Sequence, residues 1–143
     1  MILKGEKSYI LIVDDDIDWR ERFRPILERE GYNVYCAENH DKAIQVMNKK
    51  KIDLILLDIY LTGEQVRDGW FPSWIAFLKE SSSRNIPVIV ITGINSDIGS
   101  DVNAASLSEK AKKYSAAAIL FKDRIDRNEF VETIKNVLRY TDR

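Results

Sequence analysis

The sequence predicts an α/β fold in which helices cover both faces of a parallel sheet. Short apolar runs alternate five times with longer segments whose apolar residues recur at helical spacing. Strands that alternate with helices pair in parallel through right-handed crossovers, which buries both faces of the sheet. Because the chain has 143 residues and 45% hydrophobic content, we expect a single domain over residues 1–143 with a full core.

The first half of the chain contains two strand–helix pairs. The apolar run Tyr9–Val13 is the first strand, and Asp18–Glu30 is the first helix, which Gly31 ends. The second strand is Val34–Ala37, and a short helix follows over Asp41–Lys50. The apolar residues at helical spacing in these helices are Trp19, Phe23, Ile26, Leu27, Ala43, Ile44, Val46 and Met47.

The middle of the chain contributes two further strands. The run Leu54–Leu57 is apolar on both faces, which is typical of a central parallel strand. The helix Trp70–Ser82 follows, and the fourth strand is Pro87–Ile91. Trp70 and Trp74 lie four residues apart on that helix, which favours packing over a cofactor role. The apolar residues expected to face the core are Trp74, Ile75, Phe77 and Leu78.

The last part of the chain completes the alternation. A helix is expected over Ala104–Tyr114, the fifth strand over Ala118–Phe121 and the last helix over Arg127–Arg139. Asp126, followed three residues later by Glu129, forms a capping box at the start of that last helix. Its apolar face consists of Phe130, Ile134, Val137 and Leu138.

Charge and composition exclude several classes of protein. The net charge is −1 and no dense lysine and arginine cluster occurs, so nucleic-acid binding is not expected. The longest apolar stretches are too short to span a bilayer, and the N-terminus lacks a signal-peptide pattern. The single cysteine, Cys36, cannot form an internal disulfide; it suits a reducing cytoplasm and is interpreted as a small core residue.

Polar groups of particular kinds close four of the predicted strands. The carboxylates Asp14–Asp16 follow the first strand, Asp58 ends the third, Thr92 ends the fourth and Lys122 follows the fifth. The carboxyl ends of parallel strands share one edge of the sheet, and ligands bind in the crevice beyond that edge. We therefore expect these groups, scattered along the sequence, to meet in one site.

These residue types are suited to metal binding and phosphoryl transfer. Neighbouring carboxylates repel one another unless a cation lies between them, and oxygen ligands suit Mg²⁺. The carboxylates Asp14–Asp16, with Asp58 from the neighbouring strand end, therefore predict a magnesium site. A carboxylate can also act as a nucleophile and form an aspartyl-phosphate. Lys122 supplies a cation and Thr92 a hydroxyl donor for the phosphoryl oxygens.

The four strand-end motifs, VDDD, LILLD, VIVITG and ILFK, resemble those of a response-regulator receiver domain of two-component signalling. The chain is similar to the stand-alone chemotaxis regulators from about Ser8 to Leu138, the expected core. The resemblance implies a flavodoxin-like doubly wound sheet of five parallel strands in the order 2-1-3-4-5. It also implies a signalling domain that assists its own phosphorylation rather than a turnover enzyme.

The resemblance also assigns roles to the site residues. Asp58 is the phosphoacceptor, and Mg²⁺ is bound by Asp14, Asp15, Asp58 and the backbone carbonyl of Tyr60. The side chains that contact the phosphoryl oxygens are those of Thr92 and Lys122. The implied partners are a sensor histidine kinase or histidine phosphotransfer protein and a downstream protein partner. A homodimer through the fourth and fifth helices stays open.

The chain departs from the family pattern beside the lysine. Asp123 stands where the family usually has a proline joined by a cis bond, so either the bond is trans and the loop is remodelled, or strain is retained. We also expect that Asp123 can pair with Lys122. Ile119 replaces the usual Tyr or Phe, so the aromatic switch is absent.

Further expectations concern the loops and the single histidine. The segments TGEQVRDG and INSDIGSDVNAASLSE are longer than usual, and the second is expected to be mobile or partner-specific. Tyr60 and Ile94 are bulky, which favours a long-lived phosphoryl state. His40 is expected to be a plain surface residue without a phosphotransfer role.

Three other functions are compatible with parts of the sequence pattern. A phosphate-independent interaction module would keep the fold and the acidic cluster, and Asp123 and Ile119 motivate it. A phosphatase of the haloacid dehalogenase class needs a second Asp two residues after its nucleophile, whereas position 60 is Tyr. A flavodoxin is disfavoured because no phosphate loop rich in Ser, Thr and Gly follows the first strand.

Overall fold

A computed structural model describes residues 8–59, 73–93, 109 and 111–141. Five strands form one parallel sheet in the order β2-β1-β3-β4-β5, which confirms the predicted fold class and strand order. Every strand lies within one residue of its expected position, because short apolar runs between polar turns define strands well. The strands are β1 Tyr9–Val13, β2 Asn33–Ala37, β3 Leu54–Asp58, β4 Val88–Thr92 and β5 Ala118–Phe121.

Four helices and one short turn of 3₁₀ helix have both ends defined in the structure. Helix α1 spans Ile17–Arg29, α2 His40–Lys49, α3 Ser73–Ser83 and α4 Arg127–Thr141, and the 3₁₀ turn is Lys122–Arg124. Within the helix expected before β5, residues 109 and 111–113 are helical.

Side-chain caps explain where the helices begin. Asp16 has an extended backbone and accepts a hydrogen bond from the Asp18 N–H at 2.9 Å, so α1 starts at the next residue. Asn39 accepts from the Lys42 N–H at 2.8 Å and starts α2 in the same way. In place of the expected capping-box bond, the Asp126 carboxylate accepts from the Asn128 N–H at 3.3 Å.

The sheet separates two hydrophobic layers. One layer packs α2 and α3 against the sheet, and the other packs α1 and α4 against the opposite face. Strands β3 and β4 are buried along their whole length, as expected for central parallel strands. The apolar residues assigned to α3, Trp74, Ile75, Phe77 and Leu78, are all buried, and so are Phe130, Ile134 and Leu138 of α4.

The strand register brings the polar strand ends together. Val13 pairs with Leu57, so Asp14 lies beside Asp58 one residue further along. Asp58 in turn pairs with Ile91, which immediately precedes Thr92. Thr92 pairs with Phe121, which precedes Lys122. The prediction that these groups meet at the carboxyl edge is therefore confirmed.

No helix in the described part of the chain is long and apolar enough to cross a membrane.

Candidate functional site

Three carboxylates converge at the carboxyl edge of the sheet. Asp14, Asp15 and Asp58 each offer an oxygen, and these oxygens all lie within 4.8 Å of one another. Asp14 is 2% exposed and Asp58 is 5% exposed, so little water screens their mutual repulsion. A cluster of this kind is stable when a cation lies among the oxygens.

Lys122 supplies a cation to this cluster from the end of β5. Its Nζ lies 2.7 Å from Asp14 Oδ2 and 3.2 Å from Asp58 Oδ2, and its side chain is 9% exposed. The ammonium therefore bridges the two buried carboxylates with charge-assisted hydrogen bonds. Sequence separations of 108 and 64 residues show that the sheet topology, and not local structure, makes the site.

Asp14 is held in place by its own backbone surroundings. Its N–H donates to the Ala37 carbonyl at 3.0 Å, which continues the β1–β2 ladder. Its Oδ1 accepts from the Asp16 N–H at 2.9 Å, and its carbonyl accepts from Arg20 Nη1 at 2.6 Å. Asp14 therefore presents a fixed carboxylate, whereas Asp16 caps α1 and stays exposed.

Asp123 does not pair with Lys122, contrary to our expectation. The described residues contain no cis peptide bond, so the Lys122–Asp123 bond is trans. The 3₁₀ turn that begins at Lys122 directs the Asp123 carboxylate into solvent, where it lies 3.8 Å from Arg124 Nε and is 57% exposed. Lys122 thus keeps both of its contacts with the acidic cluster.

Thr92 brings a hydroxyl group to the same edge. The residue is 0% exposed, and its Oγ1 is buried without a hydrogen-bond partner among the described residues. A buried hydroxyl without a partner costs free energy and invites a ligand that can accept or donate. At the following Gly93, an added Cβ would lie 3.7 Å from Lys122 Cδ, an ordinary contact, so the backbone here is not crowded.

Trp19, one of the apolar residues at helical spacing in the first helix, is a neighbour of the site. Lys122 Nζ lies 4.8 Å from the centroid of its ring, within the range of a cation–π interaction. Helical spacing correctly placed Trp19 on the inner face of α1, where it is partly buried. Helical spacing does not predict the contact between Trp19 and Lys122, because that contact depends on how α1 lies over the sheet.

His40 is not a plain surface residue, so that expectation was wrong. It is the first residue of α2, and its ring stacks on Phe77 of α3 at 4.8 Å. Burial lowers the pKa of His40 to about 4, and the neighbouring Asp41 carboxylate opposes this shift weakly. The side chain therefore serves packing between two helices at neutral pH.

The remaining expectations concern residues away from the acidic cluster or outside the described part of the chain. Cys36 is partly buried against the α1–α4 layer, and Arg24 Nη2 lies 3.1 Å from its sulfur. Ile119 packs against the α2–α3 layer. The residues Tyr60, Trp70 and Ile94 lie outside the described residues. The two long loop segments also lie outside them, except for Glu109, the last residue of the second segment.

Comparisons with known proteins agree with this geometry. A family model described as the response regulator receiver domain matches residues 10–135. The chain is 34% identical over 100 residues to an NtrX-like response regulator of Rickettsia bellii, covering 68% of this chain and 20% of that protein. It is 39% identical over 84 residues to the phosphate regulon transcriptional regulatory protein PhoB of Escherichia coli, covering 58% of this chain and 34% of that protein.

Solved structures show the same fold. A CheY-like receiver domain protein from Methanospirillum hungatei matches with a TM-score of 0.75 and 24% identity, over 96% of this chain and 98% of that one. The receiver domain of NtrX from Brucella abortus matches with a TM-score of 0.73 and 24% identity, over 91% of this chain and 98% of that one. The matched part of the chain spans 20% of the length of the Rickettsia bellii protein and 34% of the length of PhoB.

Proposed function

This chain belongs to the response regulator receiver domain family, and from that premise we propose that Asp58 accepts a phosphoryl group in a Mg²⁺-dependent reaction. The donor is the phosphohistidine of a sensor histidine kinase or of a histidine phosphotransfer protein. Phosphorylation then changes affinity for a downstream protein partner. A cytoplasmic location goes with this role, because the acceptor must meet its donor there.

The transfer exchanges one bond at phosphorus for another. A carboxylate oxygen of Asp58 forms the new P–O bond while the bond from phosphorus to the donor breaks. With phosphohistidine the leaving imidazole takes the electron pair and a proton; with acetyl phosphate, acetate leaves with the pair. The chain itself provides position and charge, and it is not a turnover enzyme.

The residues at the carboxyl edge fit a hard divalent cation. Asp14, Asp15 and Asp58 offer clustered oxygens, and we add the backbone carbonyl of Tyr60 to the ligand set. When bound there, Mg²⁺ would neutralise charge on the phosphoryl oxygens. Hydrogen bonds from Asp16 and Arg20 hold Asp14 in one orientation, ready for the ion.

The observation that carries the proposal is the joint position of Lys122 and Thr92 around Asp58. Lys122 Nζ already lies 3.2 Å from Asp58 Oδ2, so it can contact an oxygen of a phosphoryl group attached there. Asp58 pairs with Ile91 of β4, and Thr92 is the next residue along that strand. The Thr92 hydroxyl is buried without a partner among the described residues. A phosphoryl oxygen would satisfy it.

A second candidate function is a receiver-like interaction module that works without phosphate. Two departures favour it: Asp123 replaces the usual proline, and Ile119 replaces the usual aromatic residue. Because Asp123 pairs with Arg124 and leaves Lys122 on the cluster, we rank this candidate second.

Intact-mass measurement after incubation with acetyl phosphate tests the proposal. We expect one added phosphate on the wild-type chain with Mg²⁺, and none without Mg²⁺ or in Asp58→Asn. Asp53→Asn is the matched control, since Asp53 lies at the other end of β3 and accepts from the Tyr9 N–H at 2.8 Å; it should be phosphorylated normally. No adduct on a folded wild-type chain would favour the phosphate-independent module. An adduct that persists in Asp58→Asn would show phosphorylation at another residue and would refute Asp58 as the acceptor.

A further inference from the structure

We propose that Trp19 is a positioning residue whose indole ring holds the Lys122 ammonium at the site and so sets the rate at which Asp58 is phosphorylated. The inference rests on the proposed function and adds a residue to it. Lys122 Nζ lies 4.8 Å from the Trp19 ring centroid. A cation at that distance is attracted to the ring face, and more strongly where water is excluded.

The indole complements the other two contacts of the ammonium. An ammonium has three N–H groups and no acceptor, and Lys122 directs it to Asp14 Oδ2 at 2.7 Å and Asp58 Oδ2 at 3.2 Å. The ring face attracts the remaining positive charge without competing for either carboxylate oxygen. Because the Lys122 side chain is 9% exposed, solvent screens this attraction little.

Trp19 is itself anchored in the layer between α1 and α4. Its ring lies 5.4 Å from that of Phe23, and Phe23 stacks on Phe130 at 4.8 Å. Phe23 and Phe130 are 2% and 0% exposed. The three rings therefore form a fixed support that reaches from the core to Lys122.

A fixed ring matters because the lysine stem is flexible. Four methylene groups allow the ammonium to settle wherever negative charge is greatest, and Asp14 is the nearer carboxylate in this structure. The Trp19 ring restricts that freedom and keeps the ammonium within reach of an incoming phosphoryl oxygen. Without the ring, we expect slower transfer although Lys122 and all the carboxylates remain.

The test compares initial phosphorylation rates with acetyl phosphate and Mg²⁺. We expect Trp19→Leu to lower the rate about 5- to 10-fold, and Trp19→Phe, which keeps a ring, to stay within about 3-fold of wild type. Arg22→Gln is the matched control: this exposed arginine lies 4.9 Å from the same ring, and its loss should change the rate less than about 2-fold. An unchanged rate in a folded Trp19→Leu protein would overturn the proposal.

A double-mutant cycle separates positioning from general support of the fold. In a Lys122→Met background, Trp19→Leu should cause no further loss, because the group it positions is gone. An equal fold-loss in both backgrounds would overturn the proposal and make Trp19 merely structural. If Trp19→Leu does not fold, the same cycle with Trp19→Met, which also removes the ring, decides, with thermal unfolding as the folding control.

A phosphate-free readout distinguishes failure of this proposal from failure of the proposed function. In a Trp70→Phe, Trp74→Phe protein, the emission of Trp19 should change when Lys122 becomes Met, since the cation leaves the ring. Unchanged emission overturns the Trp19–Lys122 contact whatever happens to phosphate. A shifted emission together with no phosphorylation of the wild type would instead refute the role of Asp58.

Discussion

At the carboxyl edge of the sheet, two buried carboxylates share one lysine and a buried threonine hydroxyl lacks a partner among the described residues. At the opposite edge, one partly buried and one buried polar group pair with the backbone. Asp53 Oδ2 accepts from the Tyr9 N–H at 2.8 Å, and the Ser81 hydroxyl donates to the Phe77 carbonyl at 2.9 Å.

The difference separates polar groups that serve binding from polar groups that serve folding. A cation or phosphoryl group that binds at the carboxyl edge should stabilise the folded chain, because the clustered carboxylates repel one another and the Thr92 hydroxyl lacks a partner among the described residues. Groups at the opposite edge already have their partners. Matched substitutions at the two edges should therefore differ in sign or in their response to Mg²⁺.

The largest expected effect follows from removing the shared lysine. Lys122→Met leaves Asp14 and Asp58 buried without their cation, so we expect the free energy of unfolding to fall by on the order of 3 kcal/mol in metal-free buffer. Mg²⁺ should restore most of this loss, because the ion replaces the missing positive charge. Urea unfolding with and without Mg²⁺ measures both effects.

The control for this substitution lies at the other edge. Lys51 Nζ is 3.8 Å from Asp53 Oδ1 but is 75% exposed, so Lys51→Met should change stability by less than about 0.5 kcal/mol. The comparison fails if Mg²⁺ leaves the Lys122→Met protein as unstable as before.

Removing a hydroxyl should have opposite signs at the two edges. Thr92→Val keeps the shape of a fully buried side chain and removes an unpartnered hydroxyl, so stability should rise by about 1 kcal/mol. Phosphorylation should slow about 10-fold, because a donor to the phosphoryl oxygens is lost. Ser81→Ala breaks a satisfied buried hydrogen bond and should lower stability by about 1 kcal/mol. Denaturant titrations that give both variants the same sign would contradict this account.

The pH dependence of stability tests a partly buried group outside the acidic cluster, His40 at the start of α2. The pKa of His40 is about 4 in the folded chain and about 6.5 when unfolded, so the unfolded chain binds more protons between these values. Stability should therefore fall as the pH drops from 6.5 to 4, by on the order of 1 kcal/mol after allowing for the partly exposed ring. The difference between wild type and His40→Asn across that range isolates the effect, and parallel pH profiles would refute it.

The smallest expected effect concerns backbone conformation at the opposite edge. Ser115 and Asn85 both adopt positive φ, 72° and 59°, and each follows a helical turn. Ser115→Gly should raise stability by roughly 0.5 kcal/mol, because glycine adopts this conformation without steric cost. Asn85→Gly should gain less, since asparagine tolerates the left-handed region. Thermal unfolding would contradict the ranking if Asn85→Gly gained more.

Much of the fold and the charged site could be predicted from sequence for a simple physical reason. Apolar runs that end in Asp14, Asp58, Thr92 and Lys122 report both burial and strand termini, and parallel topology then brings those termini to one edge. Local sequence and global fold agree at these positions.

Side-chain contacts between distant elements could not be predicted in the same way. The Trp19–Lys122 contact depends on how α1 lies over the sheet, and the burial of His40 depends on how α2 meets α3. The outward direction of Asp123 follows from a 3₁₀ turn that the usual proline pattern does not indicate.

The most direct test of the account is a calorimetric titration of Mg²⁺ into wild type, Asp14→Asn and Asp53→Asn. We expect one Mg²⁺ site in wild type, the same site in Asp53→Asn, and affinity lower by roughly 100-fold in Asp14→Asn, because a ligand is lost from a site that needs oxygen donors. Equal Mg²⁺ binding by Asp14→Asn and wild type would contradict the claim that the carboxyl edge holds the metal and the phosphoryl group.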